Sequence, residues 1–190
     1  MTAELGHYAL VLALSVALVQ ATIPLLGAWR GDPGWIGLAR PAALVQCLLI
    51  VVAFAALMYA FVTSDFSVLN VATNSHSAKP MLYKIAGVWG NHEGSLLLWL
   101  LILALFGAAV AVFGDNLPAP FRARVLAVQA MIGVGFLSFV LFTSNPFERL
   151  LPAPIDGRGL NPLLQDPGLA FHPPFLYLGY VGFSMAFSFA

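Results

Sequence analysis

The sequence contains very little cysteine and very little charge. Cys47, inside an apolar run, is the only cysteine among 190 residues, so the chain has no internal disulfide, no Cys-x-x-Cys redox pair and no Cys-x-x-Cys-His haem attachment motif. Charged residues make up 8% of the chain and their formal charges sum to zero, whereas soluble domains carry about 25%. We therefore expect no nucleic-acid partner and no polybasic segment that binds lipid headgroups.

Charged and catalytic groupings are also missing where transport or catalysis would need them. Away from their ends, the apolar segments carry amide side chains, Gln20, Gln46 and Gln129, whereas ion and proton pathways normally use charged side chains. No phosphate-binding loop, Ser-His-Asp arrangement or paired-carboxylate pattern is apparent. The first apolar segment, Leu5–Leu26, has no basic residue before it and is too long for a signal-peptide core, so we expect it to remain as a membrane anchor.

Long apolar runs fill most of the chain. Hydrophobic residues make up 61% of it, and about 20 apolar residues suffice for one membrane crossing. The runs predict a single membrane domain over residues 1–190, all-α in fold class, with about five transmembrane helices of which the fifth is truncated. The predicted spans are approximately 5–27, 41–63, 95–113, 123–143 and 174–190.

Two kinds of connection separate the predicted spans. Breaker residues at 31–34 and 114–120 predict short polar hairpins, whereas 64–94 and 144–173 predict loops long enough to be functional. The basic residues of the short connections lie close to membrane ends: Arg30, Arg40, Arg122 and Arg124. Those of the long loops are more dispersed: Lys79, Lys84, Arg149 and Arg158. The positive-inside rule therefore predicts that the N-terminus and both long loops lie outside the cytoplasm.

All four histidines fall on one side of the membrane in this topology. His7 begins the first span, His76 and His92 lie in the first long loop, and His172 ends the second. This parity depends only on the number of spans. We interpret His7 and His76 as solvated surface residues, because one lies near a chain end and the other lies in a polar stretch.

His172 has the most informative setting of the four. It precedes Pro173 and Pro174 at the start of the fifth apolar segment. Because Pro is tolerated in the first turn of a helix and stops backward extension, we expect His172 just outside that turn. The positive end of the helix dipole there disfavours a charged imidazole, and neutral imidazole is the form that binds metal. A histidine that hydrogen-bonds a loop carbonyl explains the pattern equally well.

The segment Trp89–Ser95 leads into the third span. Its tryptophan favours the headgroup level, Asn91 or Ser95 can cap the helix, and Glu93 complements the helix dipole. Interface anchoring and capping are therefore the favoured interpretation. His92 and Glu93 at a helix start could also position a haem propionate, a metal or a supporting hydrogen bond.

Three blocks of sequence together resemble one family. They are Trp89–Trp99, Phe142–Phe147, and Asn161–Pro174 followed by Tyr177–Tyr180. The second block also predicts a structural turn after the fourth span. Long, ordered and irregular, the blocks are similar to the N-terminal part of the CcmF-type cytochrome c haem lyases, whose relatives include NrfE and the CcsA group. The resemblance covers essentially the whole chain.

The resemblance implies a role in attaching haem to apocytochromes c at the periplasmic face of the bacterial inner membrane. It implies three protein partners besides membrane lipids: a periplasmic haem chaperone, a CcmH-type thiol-reducing subunit and apocytochrome c. His172 matches the first of two surface histidines of the family, which makes it the expected axial ligand of the haem iron. Trp89, His92 and Glu93 lie in another block typical of the family and are further haem-binding candidates.

The resemblance is to only part of the family pattern. Family members are several times longer, and their tryptophan-rich segment, second surface histidine and intramembrane haem ligands follow the part that this chain resembles. We therefore expect a fragment with little or no lyase activity by itself. Two other functions remain open: a membrane transporter module for haem or another small molecule, and a purely structural membrane subunit.

Overall fold

The structure, a computed structural model, describes residues 1–190 and is built from helices, turns and one isolated β-bridge. Its helices are α1 (Thr2–Arg30), α2 (Pro33–Gly37), α3 (Ala39–Val62), α4 (Leu69–Asn74), α5 (Met81–Gly87), α6 (His92–Phe113), α7 (Ala119–Phe142) and α8 (Pro167–Phe189). Short 3-10 turns lie at Gly114–Asn116 and Pro162–Leu164. The predicted all-α fold class is confirmed.

Four helices, α1, α3, α6 and α7, are long and apolar enough to cross a membrane. In the bundle that they form, α1 and α6 each pack against both α3 and α7. Helix α8 lies beside this bundle, against α6 and α7. It is not among the four apolar helices, because His172 and the two prolines after it make its first half more polar. A fifth crossing therefore stays a prediction.

Small side chains bring α1 and α3 close together. Buried alanines recur on both helices every three or four residues, at Ala9, Ala13 and Ala17 on α1 and at Ala53, Ala56 and Ala60 on α3. That spacing places each set on one helix face. In lipid, where apolar side chains gain little by leaving their surroundings, such close backbone approach is a main source of helix association.

The end of the bundle opposite the long connections is fastened by polar contacts. Gly31 ends α1 in the left-handed conformation with φ of 72°, and the Asp32 carboxylate caps α2 by accepting two backbone N–H bonds. Asp115 contacts Arg40 at 3.4 Å and Arg122 at 2.6 Å. Helix α2 lies in the first short connection, where the breaker residues predicted only a hairpin.

The connection predicted as a loop over 64–94 is largely helical, since it contains α4 and α5. Val68, Val71 and Val88 are fully buried and extend the bundle core beyond the ends of the long helices. An isolated bridge pairs Val68 with Arg149. The two long connections therefore form a single packed layer over one end of the bundle.

The predicted turn after the fourth span is present. Asn145 accepts a hydrogen bond from the backbone N–H of Phe147 at 3.0 Å, and the buried Phe147 ring lies against Gly6 of α1. A Cβ built on Gly6 would fall 2.3 Å from that ring, so the phenylalanine needs the glycine. Two residues further on, Arg149 donates to both carboxylate oxygens of Glu4 at 2.8 Å, which fixes the same segment to the start of α1.

Candidate functional site at the long-connection end

Helix α8 begins before the point that the sequence analysis predicted. Asp166 is its N-cap and accepts a hydrogen bond from Leu169 N at 3.2 Å, and Pro167 occupies the first turn. His172 therefore lies inside the helix, beyond its first turn, and the expectation that it lies just outside the helix is wrong. Because the helix dipole acts mainly within the first turn, it gives no reason to expect a neutral imidazole at this position.

A tryptophan from the segment before α6 compensates for one of the two prolines inside α8. Pro174 has no N–H, so the carbonyl of Ala170 has no donor within the helix. The Trp89 indole donates to this carbonyl at 2.8 Å. Such a replacement donor is how membrane helices tolerate internal proline. The Trp89 and His172 blocks of the resemblance are thus joined by a hydrogen bond.

The His172 side chain is free on the surface of α8. The residue is exposed, and no hydrogen bond joins its imidazole to a loop carbonyl or to another side chain. Its neighbours Phe171, Phe175 and Leu176 are exposed apolar residues, at 53%, 73% and 49%. An imidazole with a free nitrogen beside apolar surface is suited to bind a large, flat, apolar ligand through a metal.

Residues 89–95 form the junction between α5 and α6. Asn91 caps α6 by accepting from Gly94 N at 2.8 Å, and its amide donates to Gly87 O at 2.7 Å. A Cβ on Gly94 would fall 1.6 Å from the carbonyl oxygen of Val88, so only glycine allows the two helices to meet this closely. The capping that the sequence predicted at Asn91 is confirmed.

His92 and Glu93 occupy the first turn of α6. The Nε2 atom of His92 lies 3.1 Å from the Ser144 hydroxyl, and the ring meets Phe139 edge-on with centroids 6.3 Å apart. Glu93 makes no hydrogen bond with another side chain. His92 therefore connects the start of α6 to the end of α7, and one of its two ring nitrogens is already occupied.

A crevice separates this junction from the segment that leads into α8. Its volume is about 290 Å³, and Trp89, His92, Ala170 and Tyr177 are among the residues that line it. His172 and Glu93 do not line it. The structure thus brings Trp89 and His92 together at the crevice, whereas His172 stands on a neighbouring surface of α8.

Of the other two histidines, His76 has the predicted exposure and His7 does not. His76 is exposed, as predicted, and its Nε2 lies 3.4 Å from a carboxylate oxygen of Asp156. His7 is half-buried, and its Nδ1 atom is buried without a hydrogen-bond partner. The description of His7 as a solvated residue is therefore wrong, because the connections packed over the bundle cover the start of α1.

The residues present suit one axial ligand of a haem iron. No group of three or more His, Cys, Asp or Glu side chains gathers anywhere in the chain, so a metal ion held by protein ligands alone is not supported. A single exposed imidazole beside aromatic side chains matches the needs of a porphyrin, which supplies four nitrogen ligands of its own. The chain places no second histidine beside His172 to complete the coordination.

Comparison with known protein families shows the family to which this chain is related. The family model described as "Cytochrome C assembly protein" matches residues 89–190, the part that contains the α5–α6 junction, the crevice and α8. The chain belongs to this cytochrome c assembly family. Its match begins at Trp89, so the hydrogen bond from Trp89 to α8 lies wholly within the family region.

Members of the family resemble the whole chain. It is 72% identical to the cytochrome c-type biogenesis protein ccl1 of Rhodobacter capsulatus over 190 residues, which are 100% of this chain and 29% of that protein. It is 52% identical to CcmF of Escherichia coli over 191 residues, covering 100% of this chain and 30% of that protein. The chain therefore spans less than a third of the length of these relatives.

A solved structure described as "Cytochrome c Heme Lyase CcmF" has the same fold. The TM-score is 0.86 and the sequences are 30% identical, over 99% of this chain and 29% of that one. The helical arrangement described above is therefore that of the matching segment of a haem lyase. The sequence resemblance to CcmF-type proteins is confirmed.

Proposed function

We propose that this chain acts in cytochrome c biogenesis as part of a haem lyase, at the step where haem is held for covalent attachment to apocytochrome c. The observation that carries the proposal is the hydrogen bond from Trp89 to Ala170 O. It fixes the helix that carries His172 to the junction at the start of the family region, and leaves the imidazole exposed. The 0.86 TM-score to a haem lyase supports the same role.

In this proposal His172 would hold the haem iron, to which its exposed imidazole would supply a nitrogen lone pair. The exposed aromatic residues on the same helix, Phe171 and Phe175, would offer apolar surface to the porphyrin. Trp89 acts on His172 through the carbonyl of Ala170 and is therefore a positioning residue. His92, which lines the crevice, and Glu93 beside it in the first turn of α6 are secondary candidates for binding haem.

The remaining parts of the proposal concern location and partners. We place the chain in the bacterial inner membrane, with its N-terminus and both long connections in the periplasm. The density of arginine at the opposite bundle end supports this orientation. A periplasmic haem chaperone, a CcmH-type thiol-reducing subunit and apocytochrome c are the proposed partners, because a haem lyase needs a source of haem and an acceptor with reduced thiols.

Replacing His172 tests the ligand assignment. In a complete haem lyase assembly that contains this chain, His172→Ala is expected to lower the yield of holocytochrome c about tenfold or more, since loss even of a residue that supports a metal ligand costs 10- to 100-fold. Exogenous imidazole should restore part of the yield, because it supplies the missing nitrogen.

His76→Ala is the matched control, since it removes another exposed histidine at the same end of the bundle. It is expected to leave maturation near the unmodified level. Equal yields from the His172 and His76 variants, with an unchanged Soret band, would refute the ligand role. A normal haem spectrum with failed maturation would instead point to a role for His172 in docking the apocytochrome.

A further inference from the structure

Three glutamines from different helices meet inside the bundle. Gln20 of α1, Gln46 of α3 and Gln129 of α7 line one small cavity, together with Gly107 and Gly133. The three side chains are 1%, 6% and 3% exposed. Because a buried amide is costly unless its donors and acceptors are paired, the partners of these glutamines determine what the cavity holds.

The orientation of Gln20 is fixed by a carbonyl group. Its Nε2 donates to the backbone oxygen of Leu126 at 3.0 Å, and the reversed amide would set two oxygens against each other. The Oε1 atom therefore points away from Leu126. It is buried and has no hydrogen-bond partner in the protein.

The orientation of Gln129 is fixed by α8. Its Nε2 donates to the Ser184 hydroxyl at 3.2 Å and to the sulfur of Met185. Ser184 Oγ uses its own hydrogen on Val181 O at 2.6 Å, so this hydroxyl can only accept from Gln129. The Oε1 atom of Gln129 is likewise buried without a partner.

These two buried acceptors belong to residues that line the same cavity, and a single donor with two hydrogens could serve both. The cavity leaves about 10 Å³ for the centre of a water molecule, close to the room that a single water needs. We propose that one water molecule occupies this cavity in the membrane interior and donates one hydrogen to Gln20 and the other to Gln129. The Gln46 amide forms another polar side of the same water site.

This water site connects α8 to the rest of the bundle. Gln129 holds α8 through Ser184, and the water holds the Gln129 amide in the orientation that makes this contact. A chain of hydrogen bonds then runs from Leu126 O through Gln20, the water and Gln129 to α8. Besides the bond from Trp89, it is a second hydrogen-bonded attachment of the helix that carries His172.

Gly107→Ala distinguishes a water-filled cavity from an empty one, because the unfolding temperature should fall in the first case and rise in the second. Gly107 is buried at the cavity wall, and a Cβ there meets no atom within 4 Å. In an empty cavity the methyl group would fill space and favour the helix, which raises the unfolding temperature. If it displaces a water, two acceptors lose their donor, and the unfolding temperature of the chain in detergent should fall by about 2–6 °C.

Gly135→Ala is the matched control on α7. It is exposed, and its Cβ would also meet nothing within 4 Å, so it reports the helix preference alone and should leave the unfolding temperature unchanged or slightly higher. An increase with Gly107→Ala equal to that with Gly135→Ala would overturn the proposal.

A second variant distinguishes loss of water from steric crowding. Gln20→Met keeps the side-chain length but removes one acceptor, so the fall caused by Gly107→Ala should be about halved in the Gln20→Met background. A fall of unchanged size in that background would show that the new methyl group is merely overpacked, and would also overturn the proposal.

Discussion

At the scale of single residues, the hydrogen bonding of one carbonyl oxygen explains why α8 begins before the predicted point. The proline pair at Pro173 and Pro174 predicts a helix start, because a proline inside a helix normally leaves a backbone carbonyl without a hydrogen-bond donor. Ala170 O is satisfied by Trp89, a residue 81 positions away in the chain. A contact at that separation cannot be read from local sequence. The Asp166-Pro167 pair, an N-cap followed by proline in the first turn, was the local signal for the true start.

Trp89→Phe tests the importance of that hydrogen bond. The change keeps an aromatic ring and removes the N–H donor, so Ala170 O is left buried without a partner. We expect the free energy of unfolding in detergent to fall by about 1–3 kcal/mol.

Trp99→Phe provides the comparison for this variant. Trp99 contacts α8 through ring packing with Tyr180, with centroids 5.8 Å apart, and its indole makes no hydrogen bond. It should lose less stability than Trp89→Phe. Equal losses in the two variants would show that aromatic contact, rather than the hydrogen bond, secures α8.

At the scale of whole elements, the long apolar helices were predictable and the short ones were not. The predicted spans 5–27 and 123–143 lie within or close to α1 and α7, because an apolar run of membrane length has few other structures open to it. Helices α4 and α5 lie in a segment of mixed polarity, and their stability comes from packing on the bundle. Val71 and Val88 become core residues only when the bundle below them exists.

Gly94→Ala tests the α5–α6 junction. The added methyl group would overlap the Val88 carbonyl, 1.6 Å from the new Cβ, and backbone must move to admit it. We expect a loss of about 3 kcal/mol or more in the free energy of unfolding, at the upper end for overpacking.

Gly179→Ala makes the same change on α8, where a Cβ meets nothing within 4 Å. It should change the free energy of unfolding by no more than about 0.5 kcal/mol. Similar stabilities for the Gly94 and Gly179 variants would mean that the junction is loose enough to move aside.

At the scale of the whole molecule, polar contacts hold the long connections together over one end of the bundle. Asp156 accepts hydrogen bonds from the hydroxyl and the backbone N–H of Ser77, at 2.5 and 2.9 Å. These bonds, with the hydroxyl contributing most, lower the pKa of Asp156 from 3.8 to about 2. The carboxylate thus joins the second long connection to the first, as does the ion pair between Arg149 and Asp65.

The lowered pKa of Asp156 predicts how this layer responds to acid. A carboxylate whose pKa is lower in the folded state contributes stability that is complete above its unfolded pKa near 3.8 and is lost as the pH falls through about 2. Cleavage of residues 150–160 by pepsin should therefore accelerate as the pH falls from 4 to 2. In Asp156→Asn, cleavage should already be faster at pH 4, and its further increase between pH 4 and pH 2 should be smaller than in the unmodified chain. A rise in cleavage of the same size in that variant would mean that another group causes the pH dependence.

The contact between Trp89 and Ala170 also couples binding at the His172 surface to the conformation of the α5–α6 junction. A ligand at His172 that favours one position of α8 also favours the matching position of the Trp89 indole. The free energy of this coupling is the same in both directions, from His172 to the junction and from the junction to His172. Under the proposed role, a protein that docked at the junction would therefore change the affinity of His172 for its ligand without approaching it. That coupling would be a property of this hydrogen bond, rather than of either site alone.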